Sequence, residues 1–194
     1  TLYYTDERFR PVKKIAKAST AGPAMNIIAG VNIAFETTAI ASISICAALL
    51  FAFRFGELSG VSHGGLYGTA IATMGMLVPC AYILAMDTFG PIVDNAGGIV
   101  EMSGAPETAR RNVTKLDAAG NTTKALTKGY AVGSAALSAF LLFTAYMTEI
   151  STYTGTFFSD VNLAHIDVFA GALLGAMLVF LFAAYAIHGV SETA

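Results

Sequence analysis

The sequence has 194 residues, of which 55% are hydrophobic and 12% are charged, whereas an average soluble protein carries about 25% charged residues. Mean hydropathy is +0.64, which excludes an ordinary soluble domain and predicts an integral, multi-pass membrane protein. The 11 basic and 13 acidic residues give a net charge of −2, so no basic excess is available to neutralise phosphates, and nucleic acid is excluded as a partner.

The chain begins with a charged, amphipathic segment followed by the first predicted membrane span, at about residues 27–53. Five basic side chains lie in residues 1–22, which we predict to be cytoplasmic because short basic segments stay on that side of the membrane. The span contains one carboxylate, Glu36. A charge at that depth normally faces the interior of a bundle, so Glu36 could influence ion coupling or could pack one helix against another.

The second predicted span, at about residues 64–94, ends in the string DTFGPIVDNAGG. Asp87 and Asp94 are seven residues apart, so they lie about 10 Å apart on one helical face and can line one cavity. Gly90 and Pro91 lie between them, weaken the hydrogen-bond ladder and can kink the helix there. Carboxylates that enter a span are usually functional, and the alternative is that both are interfacial and solvated.

The third and fourth predicted spans, at about residues 122–148 and 167–188, are rich in Ala, Gly and Ser. Such small residues let membrane helices approach closely, which predicts an all-α protein whose four spans belong to a larger bundle. Residues 97–121 contain Arg110, Arg111 and Lys115 and are predicted to be a second cytoplasmic segment, because short loops that carry Lys and Arg stay on that side.

A polar stripe leads into the third span. Asp117, Asn121, Lys124 and Lys128 recur at helical spacing and lie on one face. Carboxylate and amide oxygens suit Mg²⁺, which binds through one or two carboxylates together with substrate phosphates, and ammonium groups suit phosphate oxygens. From the residues alone, a solvated polar face that anchors the helix explains the stripe equally well.

These segments resemble the membrane-integral pyrophosphatases, ion pumps that couple hydrolysis of magnesium pyrophosphate to transport. The resemblance is carried by STAGPAMNIIAG, GLYGTAIATMGM, DTFGPIVDNAGGIVEMSG and LDAAGNTTKALTKGYAVGSAALSAF. It implies a bundle of about sixteen helices, of which this chain supplies approximately the tenth to the thirteenth. A stretch that is about a quarter to a third of such an enzyme is not expected to catalyse alone, since the remaining acidic motifs lie elsewhere.

The resemblance also implies roles for individual residues. Asp94 is expected to be a Mg²⁺ ligand, Asn121 a second contributor to the metal and pyrophosphate site, and Asp87 a further catalytic carboxylate in the same funnel. Lys128 is expected beside the substrate. Lys124 and Thr127, in GNTTKALTKG, replace the Ala and Gly of potassium-requiring members, so the chain resembles the potassium-independent, proton-pumping subclass.

The resemblance further implies a homodimer in which spans one and four contribute to the interface. The membrane would be the plasma or inner membrane of a prokaryote, or an acidic organelle membrane of a eukaryote. Two other functions remain open from the residues: a secondary transporter that binds an anionic solute without hydrolysing it, and a non-catalytic membrane scaffold.

Overall fold

A computed structural model describes residues 1–158 and 160–193. These residues form seven α-helices and one 3₁₀ turn, Ser19–Ala21, and contain no strand, which confirms the predicted all-α fold class. The helices are α1 (Leu2–Thr5), α2 (Arg10–Ala18), α3 (Pro23–Leu58), α4 (Gly64–Leu77), α5 (Cys80–Met102), α6 (Glu107–Thr154) and α7 (Ile166–Thr193).

Three of the described helices, α3, α6 and α7, are long and apolar enough to cross a membrane. The pair α4 and α5 passes the same test together but is bent by 43°, so it counts as a fourth span only if the bent pair is taken as one. This pattern confirms an integral, multi-pass protein. The predicted spans 27–53, 122–148 and 167–188 each lie within one longer helix, whereas the predicted span 64–94 is divided between α4 and α5. The membrane boundaries and the sidedness of residues 1–22 and 97–121 stay predictions.

The second span breaks at a different proline from the one that the sequence singled out. The helix bends between Leu77 and Cys80, where Pro79 has no N–H to donate. In contrast, α5 continues as a helix through Pro91. Because Pro91 cannot donate to the carbonyl four residues earlier, it leaves the main-chain oxygen of Asp87 without its ordinary helical partner.

The chain divides into two compact units, Thr1–Phe143 and Thr144–Ala194. In the first unit, α3 and α4 pack against each other through glycines. A Cβ added at Gly64 would collide with the carbonyl oxygen of Gly56, and one added at Gly68 would collide with that of Ala52. Backbone contact of this kind is how small residues hold membrane helices together without a hydrophobic driving force.

The second unit contains the end of α6 and the whole of α7. The hydroxyl of Ser151 accepts a hydrogen bond of 2.9 Å from the backbone N–H of Phe158, which orders the chain just after α6 ends. Along α7, apolar side chains such as Phe169, Phe180 and Phe182 are exposed. An apolar exposed helix of 28 residues is what a lipid or helix contact in a membrane requires.

Candidate functional site

The site is built where α5 and α6 approach each other at backbone distance. A Cβ added at Gly120 would lie 3.0 Å from the Cα of Gly90, so the two backbones would have to separate by a few tenths of an ångström to admit it. A second contact lies further along the pair, where a Cβ at Gly97 would be 3.3 Å from Val113. Beyond the start of α5, the Met76 side chain of α4 lies against Gly133 of α6. Moving from Gly90 to Gly97 along α5 therefore means moving backwards from Gly120 to Val113 along α6. The two helices run antiparallel.

Asp87 is held from α6 by a hydroxyl group. Thr127 of α6 is 7% exposed and places its Oγ1 2.6 Å from Oδ1 of Asp87. The same hydroxyl lies 2.7 Å from the carbonyl oxygen of Lys124, so its one proton is shared between two acceptors. Two residues that the sequence assigned to separate roles are therefore direct partners.

Asp94 of α5 faces an ammonium group that α6 contributes. Nζ of Lys124 lies 3.9 Å from Oδ2 of Asp94, with 25% of the lysine side chain and 69% of the aspartate side chain exposed. The alkyl chain of Lys124 reaches this position by crossing the backbone of Gly90. The two aspartates of α5 thus receive different partners from α6, a hydroxyl group for Asp87 and a cation for Asp94.

A cavity of about 260 Å³ opens beside Asp94, between the end of α5 and the start of α6. Its charged and polar lining comes from both helices, and the full set is Asp94, Gly97, Gly98, Val100, Glu101, Arg110, Val113, Thr114 and Asp117. In this wall Nη1 of Arg110 lies 3.6 Å from Oε1 of Glu101. Oδ1 of Asp117 and Nε of Arg110 are buried and have no protein partner among the described residues.

Buried polar atoms in proteins nearly always have a partner, so an unpaired carboxylate oxygen in a cavity wall is suited to hold an ion or water. The other oxygen of Asp117 accepts a hydrogen bond of 3.1 Å from the amide nitrogen of Asn121. This bond ties the exposed Asn121 to a residue of the cavity wall one turn earlier on the same helix. No cluster of three or more His, Cys, Asp or Glu side chains suited to a metal occurs in the described part of the chain.

The remaining predicted residues lie at the margins of this arrangement. Lys128 is exposed on α6, one position beyond Thr127. Glu36 is also exposed, on α3. The pKa of Tyr4 is raised mainly by burial of its phenol and secondly by the negative charge of Glu36. The roles predicted for these residues stay predictions.

Sequence reasoning did not predict the helix crossing, because it considered Gly90 only as a possible kink and did not assign Gly120, Glu101 or Arg110 to the site. Gly90 and Gly120 create the crossing, and Glu101 and Arg110 complete the cavity wall. A signal for the glycines was present, because each stands on the polar face of its helix within one turn of a predicted site residue. Which glycine opposes which could not be read from either helix alone.

A family model described as inorganic H+ pyrophosphatase matches residues 1–194 of this chain. The chain is 58% identical over its full length to the K(+)-insensitive pyrophosphate-energized proton pump 2 of Moorella thermoacetica and covers 29% of that protein. It is 56% identical, again over its full length, to the K(+)-insensitive pyrophosphate-energized proton pump of Caldanaerobacter subterraneus, and covers 28% of it. Over 99% of its length it is 54% identical to the pyrophosphate-energized membrane proton pump 3 of Arabidopsis thaliana, of which it covers 25%.

The chain thus spans less than a third of the length of the curated relatives that it matches. The match covers both site segments, the one that carries Asp87 and Asp94 and the one that carries Lys124 and Thr127. Together with the all-α fold and its long apolar helices, this full-length match shows that the chain belongs to the inorganic H+ pyrophosphatase family.

Proposed function

We propose that the complete protein to which this chain belongs hydrolyses inorganic pyrophosphate with Mg²⁺ and couples the reaction to proton movement across a membrane. The observation that carries the proposal is the cation that Lys124 places 3.9 Å from Asp94, beside a cavity with an unpaired carboxylate oxygen. A site that combines carboxylates and a fixed cation suits a metal-bound phosphate. The names of the relatives, which are pyrophosphate-energized proton pumps, support the same assignment.

The residues of the cavity fit magnesium by the chemistry of their donor atoms. Mg²⁺ takes oxygen ligands, keeps several waters and is commonly bound by one or two carboxylates together with substrate phosphates. Asp94 is exposed at the cavity, and Asp117 contributes an oxygen without a protein partner. Asn121 engages Asp117 through its amide nitrogen, and its amide oxygen is of the kind that Mg²⁺ prefers. We therefore assign Asp94 and Asn121 to the metal, with Asp117 as their neighbour.

When bound, magnesium would neutralise phosphate charge and orient pyrophosphate relative to the attacking water. The residues of this chain hold and position the reactants. The ammonium of Lys124 supplies a fixed positive charge where negative charge develops on the leaving phosphate, and Lys128 contacts the substrate. Asp87, fixed by Thr127, lines the same funnel. The water is activated by carboxylates that the rest of the enzyme contributes.

Lys124 also explains why the proposed hydrolysis of pyrophosphate would not require potassium. A lysine ammonium can occupy the volume and supply the charge of a bound potassium ion, and here that ammonium is anchored beside Asp94. Two of the relatives are named as K(+)-insensitive pumps. We assign Lys124 and Thr127 as the determinants of potassium independence, and the proton as the transported ion.

The proposed enzyme is a homodimer embedded in lipid, with α3 and α7 contributing to the subunit interface. Both helices carry exposed apolar side chains, including Phe35 and Phe51 on α3 and Phe180 on α7. The membrane would be the plasma or inner membrane of a prokaryote or an acidic organelle membrane of a eukaryote. Glu36, which is exposed on α3, is proposed to influence ion coupling.

The test is magnesium-dependent phosphate release from pyrophosphate by membranes that carry the complete protein, with and without potassium. The control is Asp94→Ala at an equal amount of folded protein. We expect activity that does not respond to potassium and is lost in the variant. A folded wild-type protein that releases no phosphate would overturn the proposal in favour of a secondary transporter of anions, and activity only with potassium would overturn the role of Lys124.

A further inference from the structure

The path of the Lys124 side chain depends on a missing Cβ in the opposite helix. If Gly90 carried a Cβ, that atom would collide with Cε of Lys124 and would lie 2.6 Å from its Cγ and 2.9 Å from its Cδ. Gly90 is itself buried. The alkyl chain therefore runs through a notch in α5 that exists only because residue 90 has no side chain.

The direction of the notch explains which carboxylate the ammonium reaches. Side chains on a helix lean toward its N-terminus. Since α5 and α6 are antiparallel, leaning toward the start of α6 means leaning toward the end of α5, past Gly90 and on to Asp94. Thr127, one turn later on α6 and with a short side chain, stays opposite Asp87.

We propose that Gly90 is a positioning residue that sets the monovalent-cation specificity of this enzyme, because it opens the notch through which Lys124 delivers its ammonium to Asp94. The inference rests on the proposed function. It makes cation specificity a property of the pair formed by residues 90 and 124. A lysine at position 124 is then effective only while position 90 is glycine.

The perturbation that tests this proposal is Gly90→Ala. The atoms that the new methyl group would meet first belong to a flexible side chain, so Lys124 can rotate away while α5 and α6 keep their places. At Gly120 the opposing atom is the Cα of Gly90, which cannot rotate away. Gly90→Ala therefore acts on the position of a charge, whereas Gly120→Ala acts on the packing of the helices.

The experiment is a double-mutant cycle in the complete protein with Gly90→Ala, Lys124→Ala and the double variant. Pyrophosphate hydrolysis is measured in potassium chloride and in choline chloride at equal ionic strength, so that general screening is matched. In choline chloride we expect Gly90→Ala to lower kcat/KM about tenfold in the wild-type background but less than about twofold in the Lys124→Ala background, because contacting residues are coupled. Potassium should restore activity to both single variants.

Gly75→Ala is the matched control for replacing a helical glycine, since a Cβ there meets nothing within 4 Å in this chain. Equal effects of Gly90→Ala in the two backgrounds would overturn the inference, and so would potassium-insensitive activity in Gly90→Ala. If Gly90→Ala fails to accumulate, accumulation of the double variant supports the inference, because removing the lysine chain removes the overlap, and failure of both overturns it. A wild-type protein without pyrophosphate hydrolysis would instead reject the proposed function.

Discussion

The hydrogen bond between Thr127 and Asp87 can be removed with little change in shape by Thr127→Val. The substitution replaces the hydroxyl by a methyl group and keeps the branched side chain. It leaves Oδ1 of Asp87 without the donor that now lies 2.6 Å away. Because Thr127 is buried, water has little room to take the place of its hydroxyl.

The expected loss follows from the kind of hydrogen bond. Hydrogen bonds to charged groups contribute about 1.5–3 kcal/mol, and since Asp87 is only half-buried we expect about 1–2 kcal/mol in this site. A change of 1.4 kcal/mol corresponds to a factor of about ten, so kcat/KM for pyrophosphate should fall between about fivefold and thirtyfold.

The assay is phosphate release over a range of pyrophosphate concentrations at constant free magnesium, with kcat and KM reported separately. Thr127→Ser keeps the hydroxyl and should stay within about twofold of the wild type. Thr122→Val is the matched control, because the hydroxyl of Thr122 donates only to the carbonyl of Ala118 in its own helix, at 3.1 Å.

The reasoning would be refuted by a Thr127→Val protein as active as the wild type. It would also be refuted if Thr127→Ser were as impaired as Thr127→Val, since the loss would then come from packing and not from the hydroxyl group. An equal loss in Thr122→Val would show that the effect is a general response of α6 to valine.

Three further outcomes are expected. Lys124→Ala should create a potassium requirement, and equal hydrolysis with and without potassium would contradict this. Gly120→Ala should destabilise the detergent-purified protein by about 1–3 kcal/mol through overpacking, seen as a lower inactivation temperature than that of Gly75→Ala. Asp6 receives bonds from the guanidinium and the backbone N–H of Arg8, which hold its pKa at about 2. A depressed carboxyl pKa stabilises the folded turn above the ordinary value of 3.8, and this contribution is lost as pH falls through about 2. In Arg8→Ala, the NMR titration midpoint of Asp6 should move upward; an unchanged midpoint would show that the side chain contributes nothing.

Local sequence was sufficient for the class of protein and for the helical face on which each candidate site residue was expected. Long uncharged runs require a membrane whatever the tertiary arrangement, because a bilayer selects on hydrophobicity and length. The spacing of Asp87 and Asp94 placed both on one helical face, since a helix repeats every 3.6 residues. The strings around Lys124 and Thr127 carried the family resemblance, which the full-length family match confirmed.

The tertiary structure decided which side chain meets which. Periodicity sets the face of a residue on its own helix, but the register between two helices depends on where their backbones approach most closely. Here that point is the contact between Gly90 and Gly120, 30 residues apart in sequence. This contact pairs Thr127 with Asp87 and Lys124 with Asp94. No sequence pattern within either helix predicts that pairing. The position of the bend also depended on the tertiary structure. Pro79 and Pro91 both lack an N–H, yet the chain bends by 43° at Pro79 and stays helical through Pro91.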